Sequence, residues 1–246
     1  AVGHRAGYAL TTGTVNTFIG AFAGGATDDG TRNVVVGYSA MDTGNAGNDN
    51  IAIGYGALAD NATNNNIAIG SYAMIQHTTG TRNMAIGSYT MQDTDAGSTS
   101  LGSEDNIFIG HTAGGGTWTD AASNRNVSVG NYTMDSALDG ALDNTALGHY
   151  ALSSITTGDY NVGLGSNAGL AITTGQYNNF VGYLAGDSVI SGSNNTAIGS
   201  SALAASIGSS NNVAIGPSAG QNITTGNANV LIGYKAGYAQ KTQSSV

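Results

Sequence analysis

The sequence contains no cysteine, so it cannot form disulfides or thiolate-ligated metal sites. It has one proline, and only six lysines and arginines stand against fifteen acidic residues, for a net charge of −9. Such a small basic content leaves no electrostatic footprint for nucleic acid. No apolar run approaches the roughly 20 residues that a membrane-spanning helix needs. These shortages predict a chain that binds no nucleic acid and does not insert into a membrane.

What the sequence does contain is a five-residue motif, Asn followed four residues later by Gly, repeated along the whole chain. The motif glycines run from Gly3 to Gly233, and most are 17 residues apart. A fixed period of this size indicates stacked repeats. The motif asparagines are Asn16, Asn33, Asn50, Asn66, Asn83, Asn106, Asn126, Asn144, Asn161, Asn178, Asn195, Asn212 and Asn229.

We number the motif Asn as position 0 and the Gly as position 4. Position 3 is aliphatic in every coil and position 1 is mostly β-branched, an alternation that is typical of a short strand. Positions 7 and 8, usually Ala followed by Gly, Met or Leu, predict a second packed segment. A further Gly often stands ten residues after the motif Gly, where we expect a turn with positive φ. Frequent glycine excludes a helix.

The pattern therefore predicts an all-β chain, a parallel β-solenoid (β-roll) of about 14 coils. It forms one repeat domain over residues 1–246, without a linker. At the spacing of neighbouring strands, the coils would make a rod about 65–70 Å long. The Asn side chains would stack from coil to coil as a hydrogen-bonded structural ladder. Tyrosines after the motif Gly alternate between positions 5 and 6, which predicts packing contacts without a single stripe.

Position 2 carries alanines interrupted by Phe18, Phe108 and Phe180. If positions 1 and 3 face the core, position 2 faces outward, and an apolar outward row favours contact with another chain. We therefore expect these phenylalanines to make chain–chain contacts in a homotrimer of three chains packed side by side. Neither end of the sequence resembles a polar cap, which predicts either a segment of a longer shaft or end-to-end stacking of copies.

The period lengthens in two places, at residues 92–105 and 115–125. Insertions in repeat proteins lie on one face, often the binding face. We predict that they form an acidic protrusion with an exposed aromatic ring, able to hold a cell-surface glycan or receptor. Tolerated variation in loop length is the alternative explanation of the insertions. The candidate residues of this protrusion are Asp93, Asp95, Glu104, Asp105, Trp118 and Asp120.

The stretch "TTGQYNNFVGYLAG" at 173–186 and its relatives at 156–169 and 224–237 resemble repeats of bacteriophage tail fibres and related virion fibres. The N-x-A-I-G core also resembles the head repeats of trimeric autotransporter adhesins. The resemblance extends over nearly the whole chain. It implies a parallel β-roll assembled as a trimer, located in a virion tail fibre or at an extracellular surface.

These observations favour the structural shaft of a trimeric phage tail fibre that serves host attachment. A bacterial surface adhesin or a self-assembling extracellular filament is the alternative, and ice binding through the interrupted Thr-Thr rows is a third. We found no catalytic constellation, so we predict no enzymatic activity. We expect no cofactor, with calcium at the single glycine- and aspartate-rich stretch 24–30 as an alternative.

Overall fold

The computed structural model describes residues 1–43, 47–60, 63–94, 102–118 and 121–239. Within these residues the chain is all-β, with thirteen three-residue strands and no helix. The prediction of a parallel β-solenoid is confirmed. None of the described segments forms a helix with the length and apolarity to cross a membrane. The chain divides into two compact units, Ala1–Arg125 and Asn126–Val246.

The first unit contains six strands that pair in parallel in chain order. Each pairs with the equivalent position of its neighbour, as Phe18 does with Val35 and Val35 with Ala52. The repeat length thus sets the strand register directly. The strands are β1 (Thr17–Ile19), β2 (Val34–Val36), β3 (Ile51–Ile53), β4 (Ile67–Ile69), β5 (Met84–Ile86) and β6 (Ile107–Ile109).

The second unit has the same construction, with seven strands paired in parallel in chain order. Equivalent positions again face each other, for example Gly163 with Phe180 and Phe180 with Ala197. The strands are β7 (Val127–Val129), β8 (Thr145–Leu147), β9 (Val162–Leu164), β10 (Asn179–Val181), β11 (Thr196–Ile198), β12 (Val213–Ile215) and β13 (Val230–Ile232).

The second packed segment, positions 7 and 8, lies in the core as expected in all but the first and last of the described coils. Ala151 and Leu152 are fully buried, and the Leu152 amide donates to the Ala168 carbonyl of the next coil at 3.0 Å. Position 8 has positive φ whether it carries Leu152 or Gly169. The sequence-based interpretation missed a third core row, seven residues after the motif Gly, where Ile155 and Ile172 are buried.

The Gly ten residues after the motif Gly has a different role from the one predicted. Gly158 and Gly175 do not have positive φ, so their function is not to allow a left-handed turn conformation. A Cβ on Gly158 would lie 2.4 Å from the carbonyl oxygen of Gly175, and one on Gly175 would lie 2.2 Å from that of Gly192. Glycine at these two positions therefore avoids a clash with the carbonyl of the next coil. The position is not uniform, because Gly140 there does have the predicted positive φ and Ser209 occupies it in another coil.

Candidate interaction surfaces

The predicted facing of the strands is wrong. In every strand from β1 to β12 the middle residue, position 2, is buried, whereas positions 1 and 3 are half-buried or exposed. The sequence of a three-residue strand shows that its side chains alternate between two faces, but it does not show which face is turned to the core. The interior of such a small coil has room mainly for alanine, so the bulkier β-branched rows lie outside.

Phe18, Phe108 and Phe180 consequently do not offer contacts to another chain. Their exposure is 3%, 0% and 0%, respectively, because their rings fill the chain's own core. Each ring occupies space left by glycine at position 8. A Cβ on Gly186, for instance, would lie 2.4 Å from the Phe180 ring.

The two positions compensate in volume in other coils as well. Ala197 at position 2 is accompanied by Leu203 at position 8, both fully buried. In the coil of Gly163, both positions are glycine, and Leu152 and Phe180 from the adjacent coils fill the space. This large–small exchange is visible in the sequence and would have placed position 2 in the core.

The motif asparagines are buried except for Asn16, which is half-buried, and they form the internal ladder of the solenoid. The Asn178 side chain is representative. Its Nδ2 donates to the Gly192 carbonyl at 2.8 Å and to Asn161 Oδ1 at 3.0 Å. Its Oδ1 accepts from the backbone N–H and from Nδ2 of Asn195, both at 3.0 Å. One amide therefore satisfies four hydrogen bonds that join three coils, which explains why the period conserves this residue type within the chain.

The outward residues at positions 1 and 3 form what we call the aliphatic face. It is built from Val, Ile, Leu and Met, with Thr at three positions and Asn at one, and it carries no charged residue in any strand. Its more exposed members are Ile19, Val34, Ile53 and Ile107 in the first unit and Leu147, Ile198, Ile215, Val230 and Ile232 in the second. Contiguous exposed apolar surface of this kind marks a contact site for another molecule.

In the first unit a row of residues next to the aliphatic face, each directly preceding a motif Asn, includes the charged residues Arg32, Asp49, Arg82 and Asp105. Arg32 donates to both carboxylate oxygens of Asp49, at 2.6 and 2.7 Å, and this contact holds the pKa of Asp49 below its usual range. Arg82 contacts Asp105 at 2.6 Å and Glu104 at 2.5 Å. Hydrogen bonding from Arg82 likewise lowers the pKa of Asp105.

Aromatic rings form a row after the motif Gly in the first unit, where the sequence predicted no single stripe. Rings from both positions 5 and 6 contribute to it, with neighbouring centroids 5.0–6.2 Å apart. Both positions lie in the turn after the motif Gly, and position 6 has positive φ there, as at Tyr72 and Tyr89. The row consists of His4, Phe22, Tyr38, Tyr55, Tyr72, Tyr89 and His111.

The insertions do not present an exposed aromatic ring. Trp118 is fully buried, its ring centroid lies 5.8 Å from that of Phe108, and its amide donates to the Asp93 carbonyl at 2.9 Å. Burial is favourable because the indole is the largest apolar side chain in the sequence. The prediction of a sugar-stacking tryptophan is therefore wrong.

The acidic residues of the predicted protrusion have separate surroundings. Glu104 and Asp105 lie in the ion pairs with Arg82. Asp93 is half-buried, and within the described residues its Oδ1 has no hydrogen-bond partner. Asp95 and Asp120 lie outside the described residues. The prediction that the insertions bind a receptor stays untested.

Metal-binding chemistry is not assembled in the part of the chain that the structure describes, where no group of three or more His, Asp or Glu side chains is placed to hold an ion. His77 is buried and bonds through its ring nitrogens to Thr94 Oγ1 at 2.7 Å and the Gly80 carbonyl at 3.0 Å. In the stretch considered for calcium, Asp28 accepts a hydrogen bond from the Thr11 hydroxyl.

Comparisons of this chain with protein-family models, with curated proteins and with solved structures find no match.

Proposed function

We propose that this chain is the structural shaft of a homotrimeric fibre, and that its copies pack side by side through the aliphatic face. The observation that carries the proposal is the exposure of aliphatic side chains in regular rows. Ile198 is 40% exposed and Leu147 is 52% exposed, although a strand facing water ordinarily carries polar residues there. Removing such side chains from water contributes about 25 cal/mol per Å² of apolar area.

The charge distribution favours a second copy as the occupant. Two chains of net charge −9 repel each other over most of their surfaces. The aliphatic face is the region where they can approach without opposing like charges. In the first unit its border carries the Arg32–Asp49 pair and the Arg82 cluster, which resembles the apolar centre and polar rim of protein interfaces.

The periodicity of the aliphatic face also favours a second copy of this chain as its partner. Side chains on the face recur once per coil, and strand neighbours in a sheet lie about 4.8 Å apart. A parallel copy of the same chain offers rows with the same spacing, so contacts made in one coil can repeat in the next. An unrelated globular partner has no reason to match this spacing.

The number of copies and the biological setting are expectations from resemblance. Resemblance of "TTGQYNNFVGYLAG" to virion fibre repeats favours a phage tail fibre and a part in host attachment. The N-x-A-I-G core supports a bacterial surface adhesin as the alternative. Both assignments give the chain a mechanical function, to hold an attachment structure away from a surface.

The test compares two isoleucines of the second unit. Ile198 lies on the aliphatic face, whereas Ile190, 43% exposed, lies in a different row, where its amide donates to the Ile207 carbonyl. We expect Ile198→Lys to lower the mass measured by light scattering, because assembly would bury an unpaired charge at each copy. We expect Ile190→Lys to leave the mass unchanged.

Circular dichroism of both variants checks that the β-solenoid is intact. Equal masses for the wild type and both variants would contradict assembly through the aliphatic face. A reduced mass for Ile190→Lys alone would place the interface elsewhere.

A further inference from the structure

Within the described residues four pairs of tyrosines lie stacked across consecutive coils, and in two of these pairs, one in each unit, both rings are exposed. The Tyr38 and Tyr55 rings have centroids 5.4 Å apart and planes inclined by 6°. The Tyr160 and Tyr177 rings have centroids 4.9 Å apart and planes inclined by 8°. Near-parallel rings at these separations are in offset-stacked contact, so their edges adjoin.

All four rings are accessible from solvent. Tyr38 and Tyr55 are 50% and 48% exposed, and Tyr160 and Tyr177 are 44% and 51% exposed. Their backbones are held in register by the solenoid. The Gly56 amide donates to the Tyr38 carbonyl at 3.0 Å, and the Tyr177 amide donates to the Asp159 carbonyl at 3.0 Å. The ring pairs are therefore both preorganised and reachable by a reagent.

We propose that these two pairs are sites of oxidative tyrosine coupling, at which a carbon–carbon bond covalently joins neighbouring coils. A chain without cysteine has no disulfides for this purpose. Each bond would close a loop between residues 17 apart, within one chain. The proposal does not depend on the fibre function or on the number of copies.

The coupling needs a one-electron oxidant, and the class we name is a haem peroxidase with hydrogen peroxide. Each phenol gives one electron to the oxidant and its hydroxyl proton to water, which leaves two phenoxyl radicals. The radicals combine through ring carbons adjacent to the phenol oxygens. Each of these carbons then loses its hydrogen as a proton, and each oxygen regains one. Per pair, two electrons and two protons are lost, and one hydrogen peroxide becomes two waters.

The experiment treats the purified full chain with horseradish peroxidase and hydrogen peroxide at low protein concentration. Intact-mass spectrometry follows the loss of hydrogen, and proteolysis followed by sequencing of linked peptides identifies the bonds. We expect a loss of four hydrogen atoms per chain at completion, with links between Tyr38 and Tyr55 and between Tyr160 and Tyr177. Fluorescence of the coupled phenols should rise with the mass change.

Phenylalanine variants retain the stacked ring but lack the phenol. Tyr38→Phe should halve the hydrogen loss and abolish the first link only. Tyr183→Phe is the matched control, because Tyr183 is 57% exposed and has no ring contact among the described residues. It should leave both links unchanged.

The linked chain should migrate as a monomer on a denaturing gel. Links that join separate chains, links that include Tyr183 in place of the stacked pairs, or no links at all would each overturn the proposal.

Discussion

Replacing one asparagine of the ladder by alanine should lower the free energy of unfolding far more than replacing the next residue in the sequence. Asn178→Ala deletes the four hydrogen bonds of that side chain. Two buried backbone groups then lose the partner that the structure shows for them, the Gly192 carbonyl and the Asn195 amide. An orphaned buried group costs about 1–3 kcal/mol, so the expected destabilisation is about 2–6 kcal/mol.

Asn179→Ala is the matched control. Asn179 is the next residue and begins β10, but its side chain is exposed. A surface substitution of this kind normally changes stability by no more than about 0.5 kcal/mol. The two variants thus differ by one position along the strand and by whether the amide is inside the coil.

Urea unfolding followed by circular dichroism at one fixed protein concentration measures the difference. Because repeat proteins can unfold in parts, hydrogen exchange at the Asn195 amide gives a local second measure. We expect a lower urea midpoint and faster Asn195 exchange for Asn178→Ala only. Equal midpoints and equal exchange in the two variants would refute the structural importance of the ladder.

Three further predictions concern the core and one carboxyl group. Trp118 fluorescence should resist quenching by acrylamide because the ring is buried, and strong quenching would contradict its placement. Gly163→Ala should lower the free energy of unfolding in urea by about 1–3 kcal/mol through overpacking, since the new Cβ would lie 2.8 Å from the Leu152 side chain; an unchanged free energy would contradict this packing. Burial raises the pKa of Asp187, so its ionised form costs stability at pH values above the folded-state pKa, and the cost disappears as the pH falls below the unfolded-state value. Asp187→Asn should therefore raise the urea midpoint at neutral pH but not in acid, and a pH-independent effect would exclude this cause.

The repeat made the fold class predictable. A 17-residue period with an alternating aliphatic triplet requires parallel strands in register, and the strand pairing from β1 to β6 and from β7 to β13 follows it. The asparagine at position 0 could also be interpreted from chemistry alone, because a residue that stacks on itself must satisfy its own hydrogen-bonding groups.

The direction of the strand faces was not predictable from alternation, because a triplet such as Val-Ala-Ile fits either orientation. The volume of the side chains at positions 2 and 8 decides which orientation the strand adopts. Position 2 accommodates Phe180 where Gly169 and Gly186 leave room, and in most other coils it carries a smaller residue, usually alanine. Reading positions 2 and 8 together would have shown this compensation, whereas reading position 2 alone suggested an external row.

The insertion site was predicted from loop length and residue type, and these say little about burial. Trp118 lies within the lengthened stretch 115–125, yet the bridge between Asp93 and the preceding Thr117 holds this part of the chain against a neighbouring coil. The prediction that the tyrosines form no single stripe was wrong for a related reason. Positions 5 and 6 are different residues in the sequence, but their side chains reach the same row in the turn after the motif Gly. Both errors arise where the backbone leaves the regular strand.

Sedimentation equilibrium of the wild-type chain tests the proposed side-by-side assembly of copies most directly. We expect a mass three times 24.4 kDa, with the circular-dichroism signal of the β-solenoid retained. A species of 24.4 kDa with the same β-signal would contradict it, because the aliphatic face would then be stable in water without a partner.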